Sequence, residues 1–263
     1  MHQIQDLTRE AAGRIRYVLM DIDDTITTEG KLPADSYASL WRLHEAGIRV
    51  VPITGRPAGW CDLIARQWPV DGVVGENGAL VFWEEDGHLK RIYHEQAVPN
   101  DHAVLKRIEQ RVLAEVEGTR VAGDQFGRMF DLAIDFAEEE PRLPLSDAQR
   151  IKEICEQEGA VAKISSIHVN TWMGTYDKLS MASRFLALRF GYDDAKQVAE
   201  VIYFGDSPND EPMFTHFPTS VGVANIADYA HLMRVLPAFT TSLKGGLGFA
   251  EGVTVLLEKR REA

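Results

Sequence analysis

The chain has 263 residues, a formal net charge of −12 and 45% hydrophobic residues, enough for one large domain or two smaller ones with a real core. The acidic balance argues against nucleic acid or an anionic membrane as the main partner, and two distant thiols, Cys61 and Cys155, exclude a disulfide framework or a zinc ribbon. No apolar run nears the ~20 residues of a membrane span, and Met1 to Arg16 lacks the apolar stretch of a signal peptide, so a reducing cytoplasm is the expected address.

In chain order, Tyr17 to Met20 is an apolar run that ends in Asp21-Ile22-Asp23-Asp24-Thr25. Short apolar runs of this kind are the signature of buried parallel strands. Pro33 to Ala46 is a predicted helix with Tyr37, Leu40, Leu43 and His44 on one side and Gly47 at its end. A second strand, Ile48 to Ile53, runs into Thr54-Gly55-Arg56, and a helix over Pro57 to Gln67 places Trp60, Leu63 and Ile64 inward. Val70 to Val74 and Ala79 to Trp83 are further strands, joined by a tight turn at Asn77-Gly78.

The rhythm then changes. Ala103 to Glu117 is an amphipathic helix, Met129 to Phe136 alternates as a strand, Ser146 opens a helix with Gln149 placed for a capping box, and Ala160 to Thr171 alternates again. Lys178 to Phe190 is a helix closed by Gly191, and Val198 to Phe204 is a strand ending in Gly205-Asp206-Ser207-Pro208-Asn209-Asp210. A helix starting near Pro212 follows, then a strand at Ser220 to Val223, a glycine-rich turn at 245–248 and a last helix to about Lys259. The expected architecture is α/β: a Rossmann-like doubly wound parallel sheet from residues 1–83 and 172–263, with 84–171 inserted as an α+β cap.

Ligands of open α/β sheets bind beyond the carboxyl ends of the strands. Three strands here end in carboxylates, a hydroxyl or a glycine turn, which gathers those groups at one crevice. Asp21 and Asp23, two apart, share a face; one can attack phosphorus while the other handles protons. Asp206 and Asp210 add oxygen ligands suited to octahedral Mg²⁺. A cation is a physical requirement, since this many carboxylates would otherwise repel a phosphate. Thr54 and the Gly55 amide can donate to a phosphoryl oxygen, as can Asn209, and Lys178 supplies a point charge. An EF-hand is excluded, because the sixth and twelfth positions from Asp21 are Ile26 and Leu32.

These four elements resemble the motifs of the haloacid dehalogenase superfamily of phosphohydrolases. Asp21 to Thr25 is similar to the first motif, Thr54-Gly55-Arg56 to the second, Lys178 to the third and Gly205 to Asp210 to the fourth. One departure is Asp24, where the family usually has glycine. Asp21 and Thr54 are 33 positions apart, too short for a cap there, whereas the 124 positions from Thr54 to Lys178 hold an α/β cap. That placement resembles the Cof-type (IIB) branch, which includes sucrose-phosphate and mannosyl-3-phosphoglycerate phosphatases; Gly75 to Ala79 and Val221 to Asn225 also resemble that branch.

The resemblance implies a Mg²⁺-dependent phosphatase acting on a small phosphorylated metabolite, a sugar phosphate or a phosphoglycerate- or phosphoglycolate-type monoester. Asp21 would be the nucleophile that forms an aspartyl-phosphate and Asp23 the acid and base. Asp21, the Asp23 carbonyl, Asp206 and Asp210 would hold the metal; Thr54, Gly55, Lys178 and Asn209 would hold the phosphoryl group. Arg56, His168 and Asn170 are candidates to read the substrate, with Trp172 on the same strand, whereas Asp124, Arg128 and Asp131 carry no decisive signal. The alternatives are a phosphomannomutase-like phosphomutase and a non-catalytic sensor of a phosphorylated ligand. A monomer or small homo-oligomer with no nucleic-acid or membrane partner completes the expectation.

Overall fold

A computed structural model describes residues 1–262. Its elements are β1 (His2–Gln3), α1 (Arg9–Arg14), β2 (Tyr17–Met20), α2 (Ala34–Glu45), β3 (Arg49–Pro52), α3 (Ala58–Gln67), β4 (Val73–Gly75), β5 (Leu80–Glu85) and β6 (His88–Tyr93). They continue with α4 (Ala103–Glu115), β7 (Arg120–Val121), β8 (Asp131–Asp135), α5 (Leu145–Gln157), β9 (Val161–Ile164) and β10 (His168–Trp172). The last are α6 (Lys178–Phe190), α7 (Asp194–Gln197), β11 (Val201–Gly205), α8 (Glu211–His216), β12 (Thr219–Gly222), β13 (Phe239–Thr240) and α9 (Gly245–Arg261). Among the described residues, no helix is long and apolar enough to cross a membrane.

The core is a parallel sheet in the order β1-β13-β12-β11-β2-β3. Side chains alternate across it as the strand period demands. Val18, Met20, Val50, Ile202 and Phe204 pack with α2 and α9 on one face. Leu19, Val51, Val201 and Tyr203 pack with α6 and α8 on the other. Because both faces are covered, the central strands β2 and β11 are unbroken apolar runs, which is why the sequence shows them so clearly.

A parallel bridge from Ile53 to Val74 joins β3 to β4, and β4, β5 and β6 continue as an antiparallel meander. The expected parallel arrangement therefore stops at β4, since a short turn can only reverse the chain. Asn77 takes the left-handed conformation at that turn (φ 55°). The expected core–cap boundary at 83/84 falls inside β5, and pairing with β6 carries core-side strand to Tyr93. At the other end Trp172 is still cap strand, paired with Asp131 and Val161.

The cap is a four-stranded antiparallel sheet, β7-β8-β10-β9, with α4 and α5 on its outer face. The single strand expected over Ala160 to Thr171 is two strands. The Ser165 hydroxyl accepts the His168 amide at 3.0 Å and closes the turn between them. The expected capping box at Ser146 is absent, because the helix begins at Leu145 after Pro144 and puts Ser146 inside the first turn.

Some inward assignments also differ. His44 is exposed, as are Trp60 (41%) and Leu63 (49%), while Cys61 and Ile64 are buried. Trp60 lies outside because it carries the Arg56 guanidinium on its ring at 4.4 Å. The glycine turn expected before the last helix is the helix's own first turn. A Cβ on Gly246 would lie 2.6 Å from the Ile26 carbonyl, so glycine lets α9 abut the loop after β2.

Gly205 ends β11 at another close approach, where a Cβ would meet Asp210 Oδ2 at 2.5 Å. Gly205→Ala is expected to destabilise the protein by about 1–3 kcal/mol through overpacking. A thermal melt shifted by less than a degree would contradict that.

Candidate active site

The strand register sets the site. Met20 pairs with Pro52 on one side and Phe204 on the other, so Asp21, Thr54 and Asp206 emerge together at the carboxyl edge. Ligand oxygens of Asp21, Asp206 and Asp210 lie within 4.8 Å of one another, all buried. Lys178 opens α6 and its ammonium sits between two of them, 3.1 Å from Asp21 Oδ2 and 3.0 Å from Asp210 Oδ1. Burial would lower its pKa, but Asp21 and Asp210 outweigh that and hold it charged.

Three buried carboxylates around one ammonium leave negative charge uncompensated. Burial is the main reason the Asp21 carboxyl is pushed up to about 7, with Lys178 opposing and Asp210 and Asp23 adding to it. Burial raises Asp206 as well. Asp206 Oδ1 accepts the Thr25 hydroxyl at 2.9 Å, while Oδ2 is buried with no partner. An orphaned carboxylate oxygen facing two others is a donor set suited to a hard divalent cation.

Asp210, expected among the metal ligands, lies in the cluster with both oxygens occupied. Oδ1 accepts Lys178 and the Tyr203 hydroxyl (2.5 Å); Oδ2 accepts the amides of Asp206 (3.0 Å) and Ser207 (3.3 Å). A carboxylate has about four acceptor positions, so Asp210 is saturated. Thr25 and Tyr203 are partners that the strand pattern did not single out. Asp24 has φ 55°, the left-handed region that favours the glycine usual at this position, and Asp tolerates it. Asn225 holds that turn by donating to the Asp24 carbonyl at 3.0 Å.

Thr54 is fully buried, and its hydroxyl accepts the Arg56 amide at 3.0 Å. Asn209 is buried and accepts the Ser207 hydroxyl at 2.8 Å. Gly55 faces the cap: a Cβ there would meet Asn170 Nδ2 at 3.0 Å. Asn170 Oδ1 is buried without a partner. His168 is buried against Glu138 at 2.8 Å. Trp172 is a packing residue, donating to the Tyr176 carbonyl and stacked on that ring.

Arg56 joins core to cap. Its guanidinium donates to both oxygens of Asp23 (2.8–3.1 Å), to Asp124 at 2.9 Å and to Glu138 at 2.7 Å. Burial pushes Glu138 upward, but His168 and Arg56 override it and hold the carboxyl near about 2. Beside it, Arg128 donates to the Gly55 carbonyl at 2.8 Å and pairs with Asp131 and Asp124 at 3.0 Å. Glu76 accepts the amides of Ala58, Met129 and Phe130 at 2.7–2.9 Å. Sequence reasoning missed Glu76 and Glu138 and drew nothing from Asp124, Arg128 and Asp131. No local pattern marks an ion pair formed across a domain junction.

A cleft of about 210 Å³ opens beside Asp23, lined among others by Arg56, Glu138, Arg142, Ser166 and Tyr229. It has room for a small leaving group.

Comparison with known proteins places this geometry. A family model described as haloacid dehalogenase-like hydrolase matches residues 18–115. A phosphoglycolate phosphatase of Pyrobaculum aerophilum is 25% identical over 92% of this chain and 96% of its own. Among solved structures, a Thermoplasma acidophilum protein has TM-score 0.69 at 18% identity, covering 92% of this chain and 98% of that one. The sucrose-phosphatase of Synechocystis, solved with sucrose and phosphate, has TM-score 0.62 at 14% identity, covering 91% and 97%.

The raised Asp21 carboxyl has a consequence for stability. Between its ordinary value near 3.8 and about 7 the folded protein binds the extra proton, so metal-free stability falls as pH rises through that window. A divalent cation must displace those protons, so its stabilisation grows over the same range. Added Mg²⁺ is expected to raise the melting temperature more at about pH 8 than at about pH 5. Equal shifts at both would refute the site.

Proposed function

We propose that the chain is a haloacid dehalogenase-like phosphatase that hydrolyses a small phosphate monoester through an aspartyl-phosphate on Asp21. The observation that carries this reading is the unpartnered buried oxygen of Asp206 beside Asp21 and Asp210. Mg²⁺ fits those donors. Asp21, the Asp23 backbone carbonyl and Asp206 would hold it, with Asp210 acting through water and through the groups it fixes. When bound, it neutralises charge on the phosphoryl oxygens and on the attacking carboxylate.

The chain's own residues do the rest. A free oxygen of Asp21 attacks phosphorus as the bond to the ester oxygen breaks, and Asp23 gives its proton to the departing alkoxide. Asp23 then takes a proton from water, which attacks phosphorus and releases the Asp21 carboxylate. Thr54, the Gly55 amide, Lys178 and Asn209 hold the phosphoryl oxygens throughout. Arg56 fixes the rotamer of Asp23. Two of its contacts fall on Oδ1, which leaves Oδ2 better placed to carry the proton.

The substrate class is a sugar phosphate or a phosphoglycerate- or phosphoglycolate-type monoester. The volume of the Asp23 cleft supports this, as do the phosphoglycolate phosphatase and sucrose-phosphatase named among the relatives. Release of inorganic phosphate from sugar phosphates separates this reading from a phosphomutase.

Asp21→Asn is expected to lower turnover of p-nitrophenyl phosphate about a thousandfold or more while melting no lower than the parent, since the substitution removes a costly buried charge. Near-parental turnover would refute the nucleophile. If Arg56 orients Asp23, Arg56→Lys lowers turnover of glycerol 2-phosphate, whose leaving group needs a proton, about tenfold more than that of p-nitrophenyl phosphate. Equal losses on both would leave Arg56 a merely structural role.

A further inference from the structure

We propose that Lys163, with Lys152 behind it, forms an oxyanion subsite at a second opening of the site, through which inorganic phosphate leaves. The inference rests on the phosphatase reading and adds a residue and a route to it.

The cap sheet has two faces. Ala162, Ile164, Val169, Leu132 and Ile134 pack outward into the cap core. By strand alternation Val161 and Lys163 face the other way, and Val161 indeed packs with the Trp172 and Tyr176 cluster that includes Ala79. Lys163 is directly opposite Asn170, whose amide lies against Gly55. Cross-strand partners share a face, so the Lys163 ammonium is aimed at the catalytic domain. The strand β9 also packs on the Pro208–Asp210 turn that carries Asn209.

Two cavities meet at these residues. A small one of about 50 Å³ is lined by Lys178, Asn209, Asn77, Trp172 and Lys163. A larger cleft of about 180 Å³ is lined by Asn209, Lys163, Lys152, Pro208 and Leu232. Lys163 and Asn209 line both, so the pair connects the phosphate-holding end of the site to the outer cleft. Neither cavity shares a lining residue with the cleft beside Asp23.

Charge distinguishes the two openings. The Asp23 cleft is lined by four carboxylates, those of Asp23, Asp24, Glu29 and Glu138, against two arginines. The second opening has Lys163 and Lys152 against Glu211 and Asp177, of which Glu211 accepts the amides of Arg234 and Val235 and Asp177 that of Ser180, while Lys152 also lies 3.8 Å from Glu156. Lys178 is matched by Asp21 and Asp210, whereas the half-buried Lys163 pairs with no carboxylate among the described residues. The reaction makes a neutral sugar or a hydroxy-acid monoanion beside Asp23 and a more highly charged inorganic phosphate among four carboxylates. An unmatched cation one step outward from Asn209 gives that phosphate a favourable path that avoids the acidic cleft.

The test measures binding of inorganic phosphate to the Mg²⁺-loaded protein by calorimetry, together with its inhibition of p-nitrophenyl phosphate hydrolysis. Lys163→Met is expected to weaken phosphate binding about fivefold, and Lys163→Glu more, with a smaller effect from Lys152→Met. Unchanged phosphate affinity in both Lys163 variants, each folded by its melting curve, overturns the subsite. A raised KM for 2-phosphoglycolate with unchanged phosphate affinity also overturns it, because Lys163 would then read a substrate carboxylate. A parent that releases no p-nitrophenolate refutes the phosphatase reading instead, and the binding measurement still decides whether Lys163 holds phosphate.

Discussion

Uncompensated negative charge at the carboxyl edge of the sheet is the constraint on which the rest depends. Asp21, Asp206 and Asp210 are buried within reach of one another, and only Lys178 stands among them. In water such carboxylates would repel each other weakly; in a protein interior the cost of burying each one dominates. The fold meets part of it with hydrogen bonds, giving Asp210 four donors and Asp206 the Thr25 hydroxyl. What remains is one unsatisfied oxygen and a raised Asp21, a site that binding of a divalent cation would relieve.

The same balance extends into the junction with the cap. Arg56 and Arg128 are buried guanidiniums shared among Asp23, Asp124, Glu138 and Asp131. Ionic contacts of this kind need close geometry to offset desolvation. Arg56 reaches Asp124 and Glu138, and Arg128 reaches the Gly55 carbonyl, only when the cap lies on the core. Glu76 accepts backbone amides from the start of α3 and from the two residues before β8 at the same seam. The guanidinium that holds Asp23 within the core is thus the same one that ties the cap down.

Three of the four site motifs were legible in the sequence because each sits where an apolar run stops. A parallel strand covered on both faces must be apolar, so its end is visible as a change of composition, and the ends of neighbouring strands must converge. Asp21, Thr54, Asp206 and Asp210 were placed together on that ground, and Lys178 by the point charge it offers a phosphate. The α6 helix from Lys178 to the left-handed Gly191 matched residue for residue for the same kind of local reason. The hairpin at Ser165 was not legible, since alternation continues on both sides of a short turn and only a hydroxyl–amide contact breaks it.

By itself the sequence determined the α/β class, the alternation of the main strands and helices, the four site motifs and the insertion of a cap between the second and third of them. All of these follow from composition and from spacing along the chain. Only the tertiary structure decided where the cap begins, which carboxylate oxygen is left free, that Arg56 is committed to Asp23 and two cap carboxylates, and that Lys163 lines a cavity with Lys178 and Asn209. Those facts depend on distances between residues far apart in the chain, set by strand register and by burial, and a hydrogen bond across a domain seam leaves no periodic trace in either segment that forms it.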